Sequence, residues 1–342
     1  MDDAAAPERT TVVTLAQMAG VAPSTVSRAL KGDPRISDKT RRRIAALATE
    51  HGYMANAMAR TLSSGRSGLV GLVLGTIDNP FYAELMQEAV SQCAPRGIRL
   101  MLLHAGGGPI EDRTAEALLQ YKVDGCLISS AELSSRAAQI CAGHGVPVVM
   151  VNRVPRLHAS AVTCDNRSGA EQLAALLLAA GHVKFAIVKG GDESSNSVER
   201  ERAFTEYVSA NGGKVVLRVG GGSSYDGGFA AGRMFAEMPV RRRPDAIFAV
   251  ADIMAMGVVD ALRIAEVAVP RDISVVGFDG IAPAARPIYG ITTVAQPLRA
   301  MVGRGLDLLT ARIGTPNLPD EMVALRGDLI LRCTARVAGQ SV

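Results

Sequence analysis

A chain of 342 residues is longer than one ordinary hydrophobic core requires and suits a small domain joined to a larger one. Hydrophobic residues make up 48% of it, yet no apolar run approaches the roughly 20 residues of a membrane helix. The first twelve residues, MDDAAAPERTTV, lack an apolar signal-peptide core, so a cytoplasmic protein without a membrane partner is expected. The net charge of +4 is unevenly placed: residues 1–66 hold ten Lys or Arg against six Asp or Glu, which is the whole excess. A basic head on a neutral body suits a nucleic-acid backbone, although any one of these charges also reads as an ordinary solvated side chain. Cys93, Cys126, Cys141, Cys164 and Cys333 are odd in number and never form CxxC. They read as reduced thiols, with no disulfide or metal framework and no cofactor.

The first elements are short helices. Residues 14–30, TLAQMAGVAPSTVSRAL, predict a helix over Thr14 to Ala19, a turn at Gly20 and a second helix opened by Pro23 and Ser24. Thr14 is placed to cap the first helix, and Leu15, Met18 and Ala19 share one of its faces. Val21, Val26, Ala29 and Leu30 form the apolar stripe of the second, leaving Ser24, Thr25, Ser27 and Arg28 on or near the other side. This is a helix-turn-helix pattern, in which the second helix lies in the DNA major groove with its N-terminal side chains at the base edges. Taken alone, the segment also fits a plain helical hairpin with solvated polar residues. A third helix is predicted from Ser37 as cap to about His51, with Ile44, Leu47 and Ala48 inside and Gly52 as the stop. In NAMARTLSSGRSG, residues 56–68, Asn56 can cap a short helix through Leu62 that Gly65 ends, ahead of a Ser, Gly and Arg linker. Nucleation is too costly for so short a helix alone, so folding on a partner is expected.

From Leu69 apolar strands alternate with amphipathic helices. Strands are predicted at LVGLVLG (69), IRLMLLH (98), GCLIS (125) and VPVVMV (146), then KFAIVKG (184), KVVLRV (214), AIFAVAD (246) and ISVVGFD (273). Helices are predicted over 82–94, 168–180, 199–210 and 252–265, among others. Such strands indicate parallel sheets covered on both faces, and two series indicate two doubly wound subdomains with a cleft between them. Ligands bind beyond the carboxyl ends of the strands, which here carry Asp78 to Tyr82, Asn152, Arg153, the segment near Arg200, Asp252 and Asp279. Loop chemistry and helix capping are the other reading of those residues. Dehydrogenase chemistry is disfavoured because no GxGxxG follows the first core strand, and no GxxxxGK marks a P-loop. The five histidines are dispersed, with no nucleophile, base and orienting group to assemble, so the chain is read as not an enzyme.

Ten stretches, in order, resemble the LacI family of transcriptional regulators: TVSRAL (25), SDKTRRRI (37), NAMARTL (56), NPFYAEL (79), DNRSGAEQ (165), GH (181), ERERAF (199), DIMAMG (252), ISVVGFDG (273) and TTVAQP (292). The resemblance covers nearly the full length. It implies an all-α helix-turn-helix domain over residues 1–55 and a hinge helix and linker over 56–68. The α/β core, 69–342, would resemble the periplasmic-binding-protein fold, with subdomains of about 69–164 plus 295–325 and 165–294 plus 326–342.

On DNA, the resemblance assigns variable base contacts to Pro23 and Ser24, with Arg28 following in the same helix, and phosphate contacts to Thr25 and Ser27. An Arg fork suits guanine O6 and N7. Thr14, Asn56 and Ala59 belong to the implied DNA-binding set, and Leu62 would be the minor-groove wedge that kinks the duplex. Met58 and Ala59 would pack the two hinge helices of a dimer together. In the core it implies an effector site of Phe81, Tyr82, Asn152, Asp165, Arg200 and Asp279. Two positions depart from the family pattern: Ala251 replaces an Asn, and the far aromatic wall falls at about Ser223, so stacking there would rest on Tyr225.

The implied function is a repressor that binds a pseudo-palindromic operator in double-stranded DNA as a homodimer, under control of a small sugar-like or nucleobase-like effector. The chain stops near Val342 without a leucine-heptad tail, hence the expectation of a dimer. The alternatives are a regulator with a degenerate cleft governed by a protein partner or by no ligand, and a solute-binding or enzymatic α/β protein with an incidental basic head.

Overall fold

Two threonines three residues apart start the first helix in the computed structural model, which describes residues 10–53, 66–75, 78–106, 110, 112–129, 134–154, 159–191, 194–315 and 318–338. Helix α1 spans Val12–Ala19, with Thr11 rather than Thr14 as its cap. Thr11 Oγ1 accepts from the Thr14 amide at 3.2 Å and the Thr11 amide donates to Thr14 Oγ1 at 2.7 Å. This reciprocal box satisfies two amides where Thr14 alone would satisfy one, so the helix begins earlier than expected. Gly20 closes α1 in the left-handed region, at φ 60°, which a residue without a Cβ adopts at no steric cost.

Helix α2 spans Pro23–Leu30 and α3 spans Asp38–Glu50, the latter capped by Ser37. Leu15, Ala16, Ala19, Val26, Ala29, Ile44 and Ala48 form the core of this head, with Leu47 and Tyr53 at its margin. Met18 does not join it and is 49% exposed. Ala16 takes its place: the small Ala16 and Ala19 let the helices close on their side, which turns Met18 outward. Leu30, also expected inside, is exposed at the end of α2. Arg43 Nη2 donates to Ala19 O at 3.0 Å, satisfying a carbonyl at the end of α1. The proposed hinge helix, with Asn56, Met58, Ala59 and Leu62, lies outside the described residues.

Gly68 begins a second unit. Its strands are β1 (Leu69–Leu74), β2 (Arg99–His104), β3 (Gly125–Ser129), β4 (Val148–Val151), β5 (Ser160–Cys164), β6 (Lys184–Lys189), β7 (Lys214–Gly220), β8 (Ala246–Ala249), β9 (Ser274–Asp279), β10 (Thr292–Ala295), β11 (Met322–Leu325) and β12 (Asp328–Ile330). The helices are α4 (Pro80–Cys93), α5 (Asp112–Gln120), α6 (Ser135–Gly143), α7 (Asn166–Ala179), α8 (Ser195–Ala210), α9 (Tyr225–Glu237), α10 (Asp252–Ile264) and α11 (Leu298–Gly314). One sheet has the order β11-β5-β4-β3-β1-β2 and the other β12-β10-β9-β8-β6-β7. Every pairing is parallel except β10 with β12.

Burial follows position in the sheet. The central strands β3, β4, β8 and β9 are buried at every residue. The strands β2 and β7, expected to be covered on both faces, are edges with no fully buried residue, exposure alternating strictly along β7, and Leu102 and Val216 reach solvent. The chain passes between the two lobes three times: at Asp165, at Gln296–Pro297 and at Arg326–Gly327. These passages lie side by side, since a Cβ on Gly327 would stand 2.8 Å from Ala295 O and 3.0 Å from Cys164 Sγ. No helix among the described residues is long and apolar enough to cross a membrane.

Candidate functional sites

In the head, Val26 and Ala29 turn α2 inward, which leaves Pro23, Ser24, Ser27 and Arg28 exposed and Thr25 half-buried. Pro at the first helical position fixes φ where no amide partner is needed. The Thr14 hydroxyl is occupied by the Thr11 box and also donates to Thr11 O at 2.9 Å. Several of the described basic residues are engaged locally, Arg43 with Ala19 O among them. Arg35 pairs with Asp33 at 2.7 Å, and its hydrogen bonds hold that carboxyl far below the usual range, while Arg41 pairs with Asp38 and donates to Gly32 O. Arg28, Lys39 and Arg42 stand exposed on the head.

In the core, the ends of β4 and β9 and the starts of α4, α7 and α8 bring polar side chains to one centre. Asp279 ends β9 at φ 126°, a conformation that L residues rarely adopt and that marks a position over-determined by its surroundings. Arg200, from α8, is 4% exposed and donates through Nη1 to Asp279 Oδ1 at 3.0 Å and to Val250 O at 2.9 Å. Its guanidinium lies 3.8 Å over the Phe278 ring, and its Nε donates to Asn166 Oδ1 at 2.8 Å. Asn166 donates onward to Asn196 Oδ1 at 3.3 Å, and Asn196 to Asn152 O and Oδ1 at 2.6 and 2.7 Å. On the far side, Gln296 Nε2 donates to Asp279 Oδ1 at 2.7 Å and Asn79 Nδ2 to Asp279 Oδ2 at 3.4 Å. Burial pushes the Asp279 carboxyl up, against the lowering influence of Arg200, Gln296 and Asn79.

Beneath this centre lies Asp252, fully buried at the first position of α10. Its Oδ2 accepts from the amides of Gly280 and Ile281 at 2.7 and 3.1 Å, and Oδ1 from Thr293 Oγ1 at 2.7 Å. It fixes the turn that follows Asp279. A Cβ on Gly277 would collide with Asp252 Oδ1, so glycine is required there by close approach. Burial, with the charge of Asp279 adding to it, raises the Asp252 carboxyl to about 7.

Two buried atoms of the centre have no partner: Arg200 Nη2, a donor, and Gln296 Oε1, an acceptor. Their sister atoms both bind Asp279 Oδ1, so the donor and the acceptor flank the same carboxylate.

The residues expected at the effector site fall into three groups. Arg200, Asp279 and Asn152 belong to the one hydrogen-bonded chain. Asp165 caps α7, its Oδ1 accepting from the Ser168 amide at 3.0 Å. Phe81 is 2% exposed in the core, edge-on to the half-buried Tyr82. Tyr225 donates its hydroxyl to Asp260 on α10 at 2.7 Å, and Ser223 accepts from the Gly191 amide at 3.4 Å. Asn79 and Asp252, expected at the carboxyl ends of the strands, join the centre, and so do Asn166, Asn196 and Gln296, which were not assigned to it, although Asn166 and Gln296 stand in recognised stretches.

A head that exposes one helix beside basic residues, ahead of two parallel-sheet lobes meeting at a buried Arg–Asp centre, defines a DNA-binding regulator on a ligand-binding core. The chain belongs to the lacI family of bacterial regulatory proteins. It matches that family, described as "Bacterial regulatory proteins, lacI family", over residues 13–56, and a "Periplasmic binding protein-like domain" over residues 174–335. The ribose operon repressor of Escherichia coli strain K12 is 31% identical over 330 residues, covering 95% of this chain and 99% of that protein. The regulator CelR of Thermobifida fusca is 31% identical over 336 residues, covering 95% and 98%. The solved CelR–cellobiose complex is similar with a TM-score of 0.71 at 30% identity, covering 95% of this chain and 100% of that one. The lac repressor dimer bound to operator and the anti-inducer ONPF shares the fold, with a TM-score of 0.87 at 23% identity and coverage of 96% and 99%. The protein is therefore a DNA-binding transcriptional regulator.

Proposed function

We propose that the protein is a cytoplasmic repressor, without enzymatic activity, that binds a pseudo-palindromic operator as a homodimer and is controlled by a small neutral polyol seated at Arg200 and Asp279. The observation that carries the effector reading is the pair of buried, unpartnered atoms beside Asp279, Arg200 Nη2 and Gln296 Oε1. Buried polar groups are ordinarily hydrogen-bonded, and hydroxyl groups, which both accept and donate, can satisfy the Nη2 donor and the Oε1 acceptor alike. The Arg200 charge is already balanced by Asp279, and the other ionisable groups of the centre are acids, Asp252 beneath it and Glu199, which accepts from Asn166 Nδ2 at 3.1 Å, so the site favours a neutral ligand over an anion. The CelR complex contains cellobiose, which belongs to this chemical class.

The test is titration calorimetry with pentoses, hexoses and disaccharides, run beside their phosphates and uronic acids. A neutral sugar or polyol is expected to bind, and Gln296→Ala to weaken it at least by the roughly 0.5–1.5 kcal/mol of a hydrogen bond. Binding of anionic ligands alone, or of none, would count against the reading, the latter favouring a cleft governed by a protein partner.

For DNA, exposed α2 would enter the major groove with Pro23, Ser24 and Arg28 at the bases and Thr25 and Ser27 at the phosphates. The head would extend over residues 1–55, and the segment 56–68, with Asn56, Ala59 and Leu62, would fold in the minor groove. Genomic fragments selected on the purified protein should share a palindrome with a deformable central step. Arg28→Ala is expected to relax preference at one base pair of each half-site, by about 1–3 kcal/mol. A loss uniform across sequences would move Arg28 to the phosphate backbone.

A further inference from the structure

We infer that the beginning of α4 clasps the turn after β9 across the two lobes, and that Glu84 is the positioning residue of this clasp. Three covalent passages join the lobes, and among the described residues side-chain hydrogen bonds also cross between them, two places bearing on the centre described above. At one, Asn196 holds Asn152, and Ser195 Oγ accepts from the Val154 amide at 3.4 Å. At the other, Asn79 reaches Asp279, and Glu84 Oε1 accepts from the Ala282 amide at 2.8 Å.

The second place is built around three successive backbone amides. Those of Gly280 and Ile281 donate to Asp252, in their own lobe, and that of Ala282 donates to Glu84, in the other. Ala282 opens the short 3-10 turn Ala282–Ala285, whose cap residue Ile281 makes no side-chain cap bond. Glu84 supplies the missing acceptor from the opposite lobe. A bond from an amide to a carboxylate is roughly twice as strong as a neutral one. The Asn79 bond to Asp279, at 3.4 Å, is by comparison long.

Glu84 therefore holds the turn that begins at Asp279, the acid of the candidate effector site. Asn79 is fixed to the same helix, since it caps α4 through its Oδ1 on the Phe81 amide at 3.0 Å. A ligand that draws on Asp279 displaces the 279–282 turn, and Glu84 passes that displacement to α4. This transmission rests on the effector reading above; the clasp does not.

The experiment uses the full-length protein with a spin label on Cys333, which is exposed while Cys93, Cys126, Cys141 and Cys164 are buried, and a second label at exposed Glu116→Cys on α5. Labelled chains are diluted with unlabelled ones so that pulsed dipolar spectroscopy reads the distance between lobes within one chain. Glu84→Ala should displace or broaden the distance distribution. Glu84→Gln keeps an acceptor at the same reach and should retain the wild-type distribution. Glu88→Ala, which loses a bond to Gln92 within one lobe, should leave it unchanged. A Glu84→Ala distribution superimposable on wild type, with the fold intact by circular dichroism, overturns the inference. Failure of the sugar titrations, by contrast, would remove the effector reading and leave this distance result standing.

Discussion

Arg200→Ala should destabilise the core by about 3–5 kcal/mol, because it leaves the Asp279 carboxylate buried without its counter-charge. Both side chains of the pair are about 95% removed from solvent, at 5% and 4% exposure, so water cannot replace the lost guanidinium. Asn166 Oδ1 and Val250 O lose a donor as well, and the Phe278 ring loses the cation stacked on it. Differential scanning calorimetry of the full chain measures the effect in the core transition. Arg200→Ala combined with Asp279→Asn should recover part of the loss, since no charge then remains unpaired. The sign with pH is also defined. Asp279 already titrates above the ordinary range because of burial, and removing Arg200 raises it further. A folded-state value above the unfolded one favours the folded state in acid, so the deficit of the variant is smallest there and grows as the pH rises through the raised value. A loss below about 1 kcal/mol, the scale of an exposed ion pair, would show that the pair is hydrated in solution.

How much of this was legible beforehand depends on what kind of pattern carries each element. Apolar periodicity locates α3 and the central strands, where long runs such as those at 69, 125 and 246 have few competing readings. It fails where local chemistry or sheet position decides. The start of α1 is set by the Thr11–Thr14 box, and the inward turn of Ala16 by close helix packing, neither of which a periodic stripe reveals. The edge strands β2 and β7 have apolar sequences, but an edge is a property of the assembled sheet. The strands β5, β10, β11 and β12 have three to five residues each, some with Thr, Ser or Asp, and too little length to show a period.

The polar centre has the same character. Arg200 and Asp279 could be singled out because one lies in a recognised stretch near a helix start and the other ends a strand at the expected face of the sheet. The carboxamides that join them to Asn152, and the amide of Gln296, belong to residues far apart in the chain. Each alone looks like a helix cap or a loop residue. Only the three passages between the lobes, packed side by side, bring residues from 79 to 296 within hydrogen-bonding distance, and no local pattern encodes that.

Asp252 should make the core less stable as the pH rises through neutrality, and Asp252→Asn should abolish that dependence. Burial holds its carboxyl at about 7 in the folded protein, against an unfolded value of 3.8. The stability contributed by its protonated form is therefore fully present below about 3.8 and is lost as the pH climbs through about 7. The limiting slope for one proton is about 1.4 kcal/mol per pH unit. Protonation has a structural outlet. Thr293 Oγ1 donates to Asp252 Oδ1 at 2.7 Å, but it also lies 3.4 Å from Val294 O, so its hydrogen can turn there while the carboxyl donates to Oγ1. An Asn side chain uses the same outlet: its oxygen accepts from the Gly280 and Ile281 amides, and its NH2 donates to Thr293. Asn at 252 is thus expected to fold and to show a flat stability over that range once the wild-type background is subtracted. Asp252→Ala would instead strand three donors, at a cost of about 1–3 kcal/mol each, and free the turn that carries Asp279. Denaturant unfolding of wild type and both variants at several pH values between about 5 and 8 separates these outcomes. A wild-type profile parallel to that of the Asn variant would mean that Asp252 stays ionised throughout, its three donors outweighing burial.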